Sequence, residues 1–377
     1  MDNPIDRLFR EFDSGRISRR ELLRALGVAA LAIPAASFAQ GGDTTAARGR
    51  GRGNRAPGDT THLPPPFDPT GWKTVWLDHI TYQCTDYPKA VAFYSALMGW
   101  KVRSDDGTQA VLDIGDDVGG AIMTNGFVPP PAPPPAPVPA GDTAGGGRGG
   151  GRGGGRGGPP RTARISNLAW GIEPWDTNKV EAELKKRGLN PVADHVGDFK
   201  SFHIQDPDGF DIQVTNGTKA NRRKGAAAGK PSAPSPFEPT GWKTVWLDHL
   251  SYGCTDFRRT VAFYEALLGW VPRSFASGNQ SQVHIGDIGG AIIRNRAAVN
   301  IDHISFGIEG FDPDKVEAEL MKRGLGIPNR QDPTHLQTDT GSGGDIHTSR
   351  FKSYHTPDPF AWDLQISNIT KATRDDT

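Results

Sequence analysis

Cysteine is nearly absent from this chain: two residues in 377, Cys84 and Cys254. That count excludes a disulfide-stapled scaffold. The two lie at matching places of an internal repeat, too far apart for bridging, and read as free buried thiols. Net charge is missing as well. The 43 basic and 43 acidic side chains cancel, so no global field draws the chain toward nucleic acid or acidic partners. No apolar run is long enough to span a bilayer, the stretch Val28–Phe38 falling well short. The excesses are 48 Gly and 31 Pro, gathered in a few linkers. The remainder, with 36% hydrophobic and 8% aromatic residues over the whole chain, can build ordinary cores for two domains.

Phe67–Trp100 reads FDPTGWKTVWLDHITYQCTDYPKAVAFYSALMGW, and it returns 170 residues later as Phe237–Trp270, with 24 of 34 positions identical. Identity over such a length marks a duplicated structural unit. Within it, alternation from Val75 to Cys84 predicts a strand, with Val75, Leu77, His79 and Thr81 on one face. Thr85 and Asp86 can cap a following helix, roughly 88–98, with Val91, Phe93, Tyr94 and Leu97 as its apolar stripe. Gly99 ends that helix. Strands near 101–103, 110–114 and 120–124 complete a βαβββ unit.

A second unit follows: a strand at 165–172, a helix at 178–187, and strands near 201–204 and 210–215. The segment Val316–Leu325 echoes Val180–Leu189 at an offset of 136, and Phe351–His355 echoes Phe199–His203 at 152. The difference places a 16-residue insertion in the loop around 329–344, long enough to act as a lid or binding loop. The chain is therefore read as α+β, four βαβββ modules in two pairs. Residues 71–217 form the first pair, interrupted by a Pro/Gly/Arg-rich insertion at 128–160. A linker at 218–236 leads to the second pair, 237–370, and a tail at 371–377.

The N-terminus reads as an address. Paired arginines at 19 and 20 precede the short apolar run, and Ala35-Ala36-Ser37-Phe38-Ala39 offers a cleavage site. Residues 1–40 resemble a twin-arginine export signal, which implies passage through that translocation machinery into the bacterial envelope or periplasm. Residues 41–70, rich in Gly, Arg and Pro, are expected to be disordered. The Arg-Gly-Gly repeats of 128–160 could in principle contact RNA, but between two structured units of an exported protein they read as a flexible loop, without a nucleic-acid partner.

Four such modules, a mid-strand histidine on the first strand, AFY…LGW on the helix and DPDGFDIQ on the last strand resemble the vicinal oxygen chelate superfamily, which holds glyoxalase I, extradiol dioxygenases and bleomycin-binding proteins. The resemblance implies that each pair curls its sheet into an open barrel around a cavity, where a divalent metal meets two oxygens of a small substrate. Carried onto this sequence, it offers His249, His303 and Gln365 as ligands for iron, manganese, zinc or nickel. His355 is the corresponding proton shuttle, and Asp363, His284 and His79 are candidate substrate contacts. Glutamine stands where most relatives have glutamate, at both Gln213 and Gln365. The N-terminal pair keeps His79 but has Asn167 in place of His303, so its half is expected to be structural or a metal-free pocket. Two functions follow: a metal-dependent enzyme of dioxygenase or lyase type, or a non-catalytic binder of small ligands. A homodimer is a further expectation.

Overall fold

Two eight-stranded mixed sheets, one for each half of the chain, carry the sixteen strands among the described residues of the computed structural model. The structure describes residues 62–128, 160–222, 229–274, 279–340 and 350–374. The export signal, most of the Gly/Arg linker and nearly all of the 128–160 insertion lie outside them. The described residues belong to one compact unit. Among the described residues, no helix is long and apolar enough to cross a membrane.

The first half holds β1 (Lys73–Cys84), α1 (Tyr87–Met98), β2 (Lys101–Asp105), β3 (Gln109–Ile114) and β4 (Gly119–Asn125). Then come β5 (Ala163–Glu173), α2 (Thr177–Lys186), β6 (Val192–Ala193), β7 (Ser201–Gln205), β8 (Asp211–Thr215) and the short α3 (Lys219–Arg222). The second half repeats the order with β9 (Thr244–Cys254), α4 (Phe257–Leu268), β10 (Val271–Ser274), β11 (Gln280–Ile285) and β12 (Gly289–Asn295). It ends with β13 (Asn300–Ile308), α5 (Pro313–Lys322), β14 (Thr338–Thr340), β15 (Lys352–Pro357) and β16 (Asp363–Ser367). Strand orders are β2-β3-β4-β1-β5-β8-β7-β6 and β10-β11-β12-β9-β13-β16-β15-β14. Each sheet is thus two βαβββ modules joined through their first strands, β1 against β5 and β9 against β13. The expected α+β class and module order hold.

The helices form where their caps and stripes predict. Asp86 and Asp256 accept hydrogen bonds from the first-turn amides of Lys89 and Arg258. Gly99 and Gly269 close α1 and α4 in the left-handed region, with φ of 69° and 67°. A Cβ on Gly99 would lie 2.3 Å from the Trp242 carbonyl oxygen of the other half, and one on Gly269 would lie 2.5 Å from that of Trp72. Glycine is therefore required there twice over, by conformation and by contact.

The halves grip each other reciprocally within one chain. Thr240 Oγ1 donates to Leu97 O and Thr70 Oγ1 to Leu267 O, both at 2.7 Å. Trp100 Nε1 reaches Thr244 Oγ1 and Trp270 Nε1 reaches Thr74 Oγ1, both at 3.1 Å. Asp358 of the second half accepts from Tyr82 and Tyr94 of the first, and Asp206 of the first from Tyr252 and Tyr264 of the second. One continuous apolar cluster runs through both halves.

The turns before β8 and β16 use Asp206 and Asp358 to bind backbone amides. Gly209 adopts φ 81° in the first turn, whereas Ala361 is held at φ 57° in the second, the positive-φ non-glycine residue of the described chain. A Cβ is unfavourable in that region. Ala361→Gly is expected to raise stability by about 0.5 kcal/mol, the relief of strain exceeding the entropy that glycine adds to the unfolded chain. Chemical denaturation checks this, and a lower midpoint would count against it.

Candidate metal centre

Strand alternation alone would put His249 on the same face as Leu247. The structure corrects this. In the pairing of β9 with β13, His249 faces Ser305 and Leu247 faces Phe306, so Asp248 is skipped. Two residues opposing one is a β-bulge, and it turns the following side chain over. Leu247, Leu250 and Tyr252 therefore join the core beneath the helices, while Asp248 and His249 are both buried away from it. The same irregularity occurs in β1 at Asp78 and His79. A second shift in β13 sets Ile301 in the core with Ile304 and Phe306, rather than beside His303.

On the helix-free face, residues of four strands converge. Ser305 stands between His249 of β9 and Gln365 of β16, and Gln365 pairs in turn with His355 of β15. His303 pairs with Asp363. His249 Nε2 lies 3.1 Å from His303 Nε2. The other nitrogen of His249, Nδ1, is 3.2 Å from Asp248 Oδ1, and the second Asp248 oxygen accepts from Ser305 Oγ at 2.7 Å. The Asp248 carboxylate is thus a close electrostatic neighbour of the His249 ring, whose Nε2 faces His303. The Gln365 amide donates to Ser353 Oγ at 2.6 Å. Its Oε1 is buried without a hydrogen-bond partner, which is costly unless some cation or donor meets it.

His303, His355 and Asp363 have donor atoms within 4.8 Å of one another, a His-His-Asp grouping able to hold a metal. Two overlapping donor sets thus share His303. Electrostatics separates their members. Burial, then the neighbouring His249 and His355, hold the His303 pKa well below the ordinary imidazole value, so this ring is neutral and ready to ligate. Burial also works against a charge on His355. The carboxylates of Asp339 and Asp363 outweigh it and raise its pKa to about 9. His355 Nδ1 lies 3.0 Å from Asp363, and its Nε2 lies 3.2 Å from Asp339. It is an imidazolium at neutral pH.

Most residues expected from the sequence meet here: His249, His303, Gln365, His355 and Asp363. His284 does not join them. It lies on β11 against Arg374 and lines a neighbouring cavity. His79 belongs to the first sheet, where its Nδ1 contacts Asp78 Oδ1 at 2.7 Å. That half lacks the facing imidazole, because Asn167 takes the place of His303 and hydrogen-bonds Thr81 and the Asp211 carbonyl. Asp248 and Asp339 escaped sequence reasoning. The first carried a visible sign, an aspartate repeated in both copies within an otherwise apolar strand. His195 accepts from the Ser201 amide and supports a loop. The thiols of Cys84 and Cys254 are buried and free, and burial pushes both up to about 12, which leaves them unreactive.

Residues 76–214 match the Glyoxalase/Bleomycin resistance protein/Dioxygenase superfamily. Among solved structures, the chain is similar to a variant of homoprotocatechuate 2,3-dioxygenase from B. fuscum. The two share 16% identity at a TM-score of 0.51, covering 81% of this chain and 73% of that one. A complex of the Brevibacterium fuscum enzyme with 3,4-dihydroxyphenylacetate matches at the same identity and TM-score, covering 81% of this chain and 82% of that one. The Mn(II)-bound glyoxalase from Novosphingobium aromaticivorans matches at 13% identity and TM-score 0.51, covering 78% and 82%. At these identities the likeness establishes the fold. The comparison with curated proteins gave no match.

Proposed function

We propose that this chain, which carries a domain of the Glyoxalase/Bleomycin resistance protein/Dioxygenase superfamily, is a divalent-metal enzyme whose site is in its second half. His249, His303 and Gln365 are the ligands. The observation that carries this reading is the facing pair of imidazole nitrogens at 3.1 Å beside a buried glutamine oxygen with no partner. The donor set of two imidazoles and an oxygen fits iron, manganese, zinc or nickel. When bound, the ion supplies Lewis-acid charge to two oxygens of a small chelating substrate, such as a catechol or a hydroxyketone.

The remaining chemistry belongs to the chain's own residues. Asp248 lies against His249, and the Gln365 amide donates to Ser353, which leaves its buried oxygen to the ion. His355, charged between Asp339 and Asp363, holds a proton beside the site for transfer to or from the substrate. Asp363 shares the His355 side of the cluster and contacts the substrate's polar edge. Gln365 brings no negative charge, and this favours weak, exchangeable metal binding. It also keeps a second reading open, a metal-free binder of small ligands. The proposal includes the address in the sequence: export by the twin-arginine route and work in the cell envelope.

Elemental mass spectrometry of protein purified without chelator, beside the His249→Ala/His303→Ala variant, tests the assignment. About one equivalent of a transition metal, lost in the variant, is the expected result. Folded protein with no metal in either sample would overturn the enzyme reading and leave the ligand binder.

A further inference from the structure

The helix-free face of the second sheet carries an arginine two strands away from His303. Arg294 of β12 pairs with Gly253 of β9, and Ile292 pairs with Ser251. Ser251 in turn faces His303 of β13. Residues two apart on a strand share a face. Arg294 therefore stands on the face of His249 and His303, while Ala291 and Ile293 join the core. The first half differs. Thr124 takes the place of Arg294 there, paired with Gln83, and the Gln83 side chain accepts from Arg164 Nε at 3.0 Å.

Arg294 is a costly residue in this position. Its Nε is buried without a hydrogen-bond partner, and among the described residues no carboxylate forms an ion pair with it. Asp302 is close enough to favour its charge, but that carboxylate is engaged by Arg296 at 3.3 Å and by the Asn300 amide. Burial, then Arg296, works against the charge, yet a guanidinium keeps its proton inside proteins. The charge is also felt at the centre. After burial and the two neighbouring histidines, Arg294 and Arg161 further lower the His303 pKa. Arg161 arrives from the first half and donates to the Asp302 carbonyl at 3.2 Å. A partly buried cation without a counter-ion is stabilised by an anion that comes to meet it.

We infer that Arg294 binds a carboxylate of the substrate, so that the molecule chelated at His249 and His303 is an organic acid. This rests on the metal-site reading above and adds the substrate's charge to it. The planar guanidinium fork matches a carboxylate. Asp302 and Asp363, both near His303, favour a singly charged group over a phosphate ester.

Calorimetric titration of the full chain loaded with Zn(II), without oxygen and at ionic strength held with chloride, tests it. The probes are 2,3- and 3,4-dihydroxybenzoate and their methyl esters, which keep the chelating hydroxyls and lose the charge. At least one acid is expected to bind about tenfold or more tighter than its ester. Arg294→Gln should erase that preference and leave ester binding unchanged. It should melt no lower than the parent, because it removes an unpaired charge. Esters bound as tightly as acids, an undiminished preference in Arg294→Gln, or a lower melting temperature of that variant would overturn this inference and leave the metal reading standing. Phosphate displacing the acid at lower concentration than benzoate would overturn the carboxylate assignment. A folded chain that takes up no zinc, or takes it up and binds no probe, would overturn this inference together with the reading it rests on.

Discussion

Gln365→Glu is expected to make folding depend on metal. The residue is 2% exposed, and its amide already spends its donor on Ser353 while its oxygen has no partner. A carboxylate in that place is a buried charge. In chelator it should lower stability by about 3 kcal/mol, the scale of an uncompensated buried ion. With a divalent ion the same charge becomes a strong ligand. Metal affinity should then rise at least about tenfold, ~1.4 kcal/mol, and stability should recover. Thermal unfolding with and without chelator reads both effects. Equal melting in the two conditions would show that the oxygen does not face the metal.

Asp358→Ala should weaken the protein by about 3 kcal/mol, because it strips an acceptor from two buried tyrosine hydroxyls and two backbone amides at once. Asp206→Ala should do the same from the opposite side. Both residues carry a pH signature. Burial, against the hydrogen bonds they accept, raises their carboxyl pKa above the ordinary value. The folded state therefore holds protons that the unfolded state releases. This contribution is full below the unfolded carboxyl value of about 3.9 and is lost as pH rises through the raised one. Denaturation midpoints across that window should fall less steeply in Asp358→Asn than in the parent. An unchanged slope would remove Asp358 as the cause.

The module order, the helix caps and the two-sheet architecture were legible because a long repeat, alternating strands and Asp/Gly caps are local signals. The strands that carry His303, Asp363 and Gln365 were legible as well, and the register sets these residues beside one another and beside His355. The orientation of His249 was not. Its parity is set by a bulge that depends on how β9 pairs with β13, and a period of two cannot reveal an inserted residue. Asp339 was hidden for another reason. It arrives from the inserted loop, and only the pairing of β14 with β15 brings it to His355.

The matched threonine, tryptophan and tyrosine–aspartate contacts between the halves amount to a two-fold dimer interface sealed inside one polypeptide. Each half presents the surface that it receives. In a dimer of identical chains, any substitution appears on both sides of such an interface. Here the linker tethers two different copies, and a short tether supplies the partner at an effective concentration of millimolar order. One copy can then carry Asn167 where the other has His303 and still complete its partner. Covalent joining thus separates the work of holding the assembly together from the work done at the site.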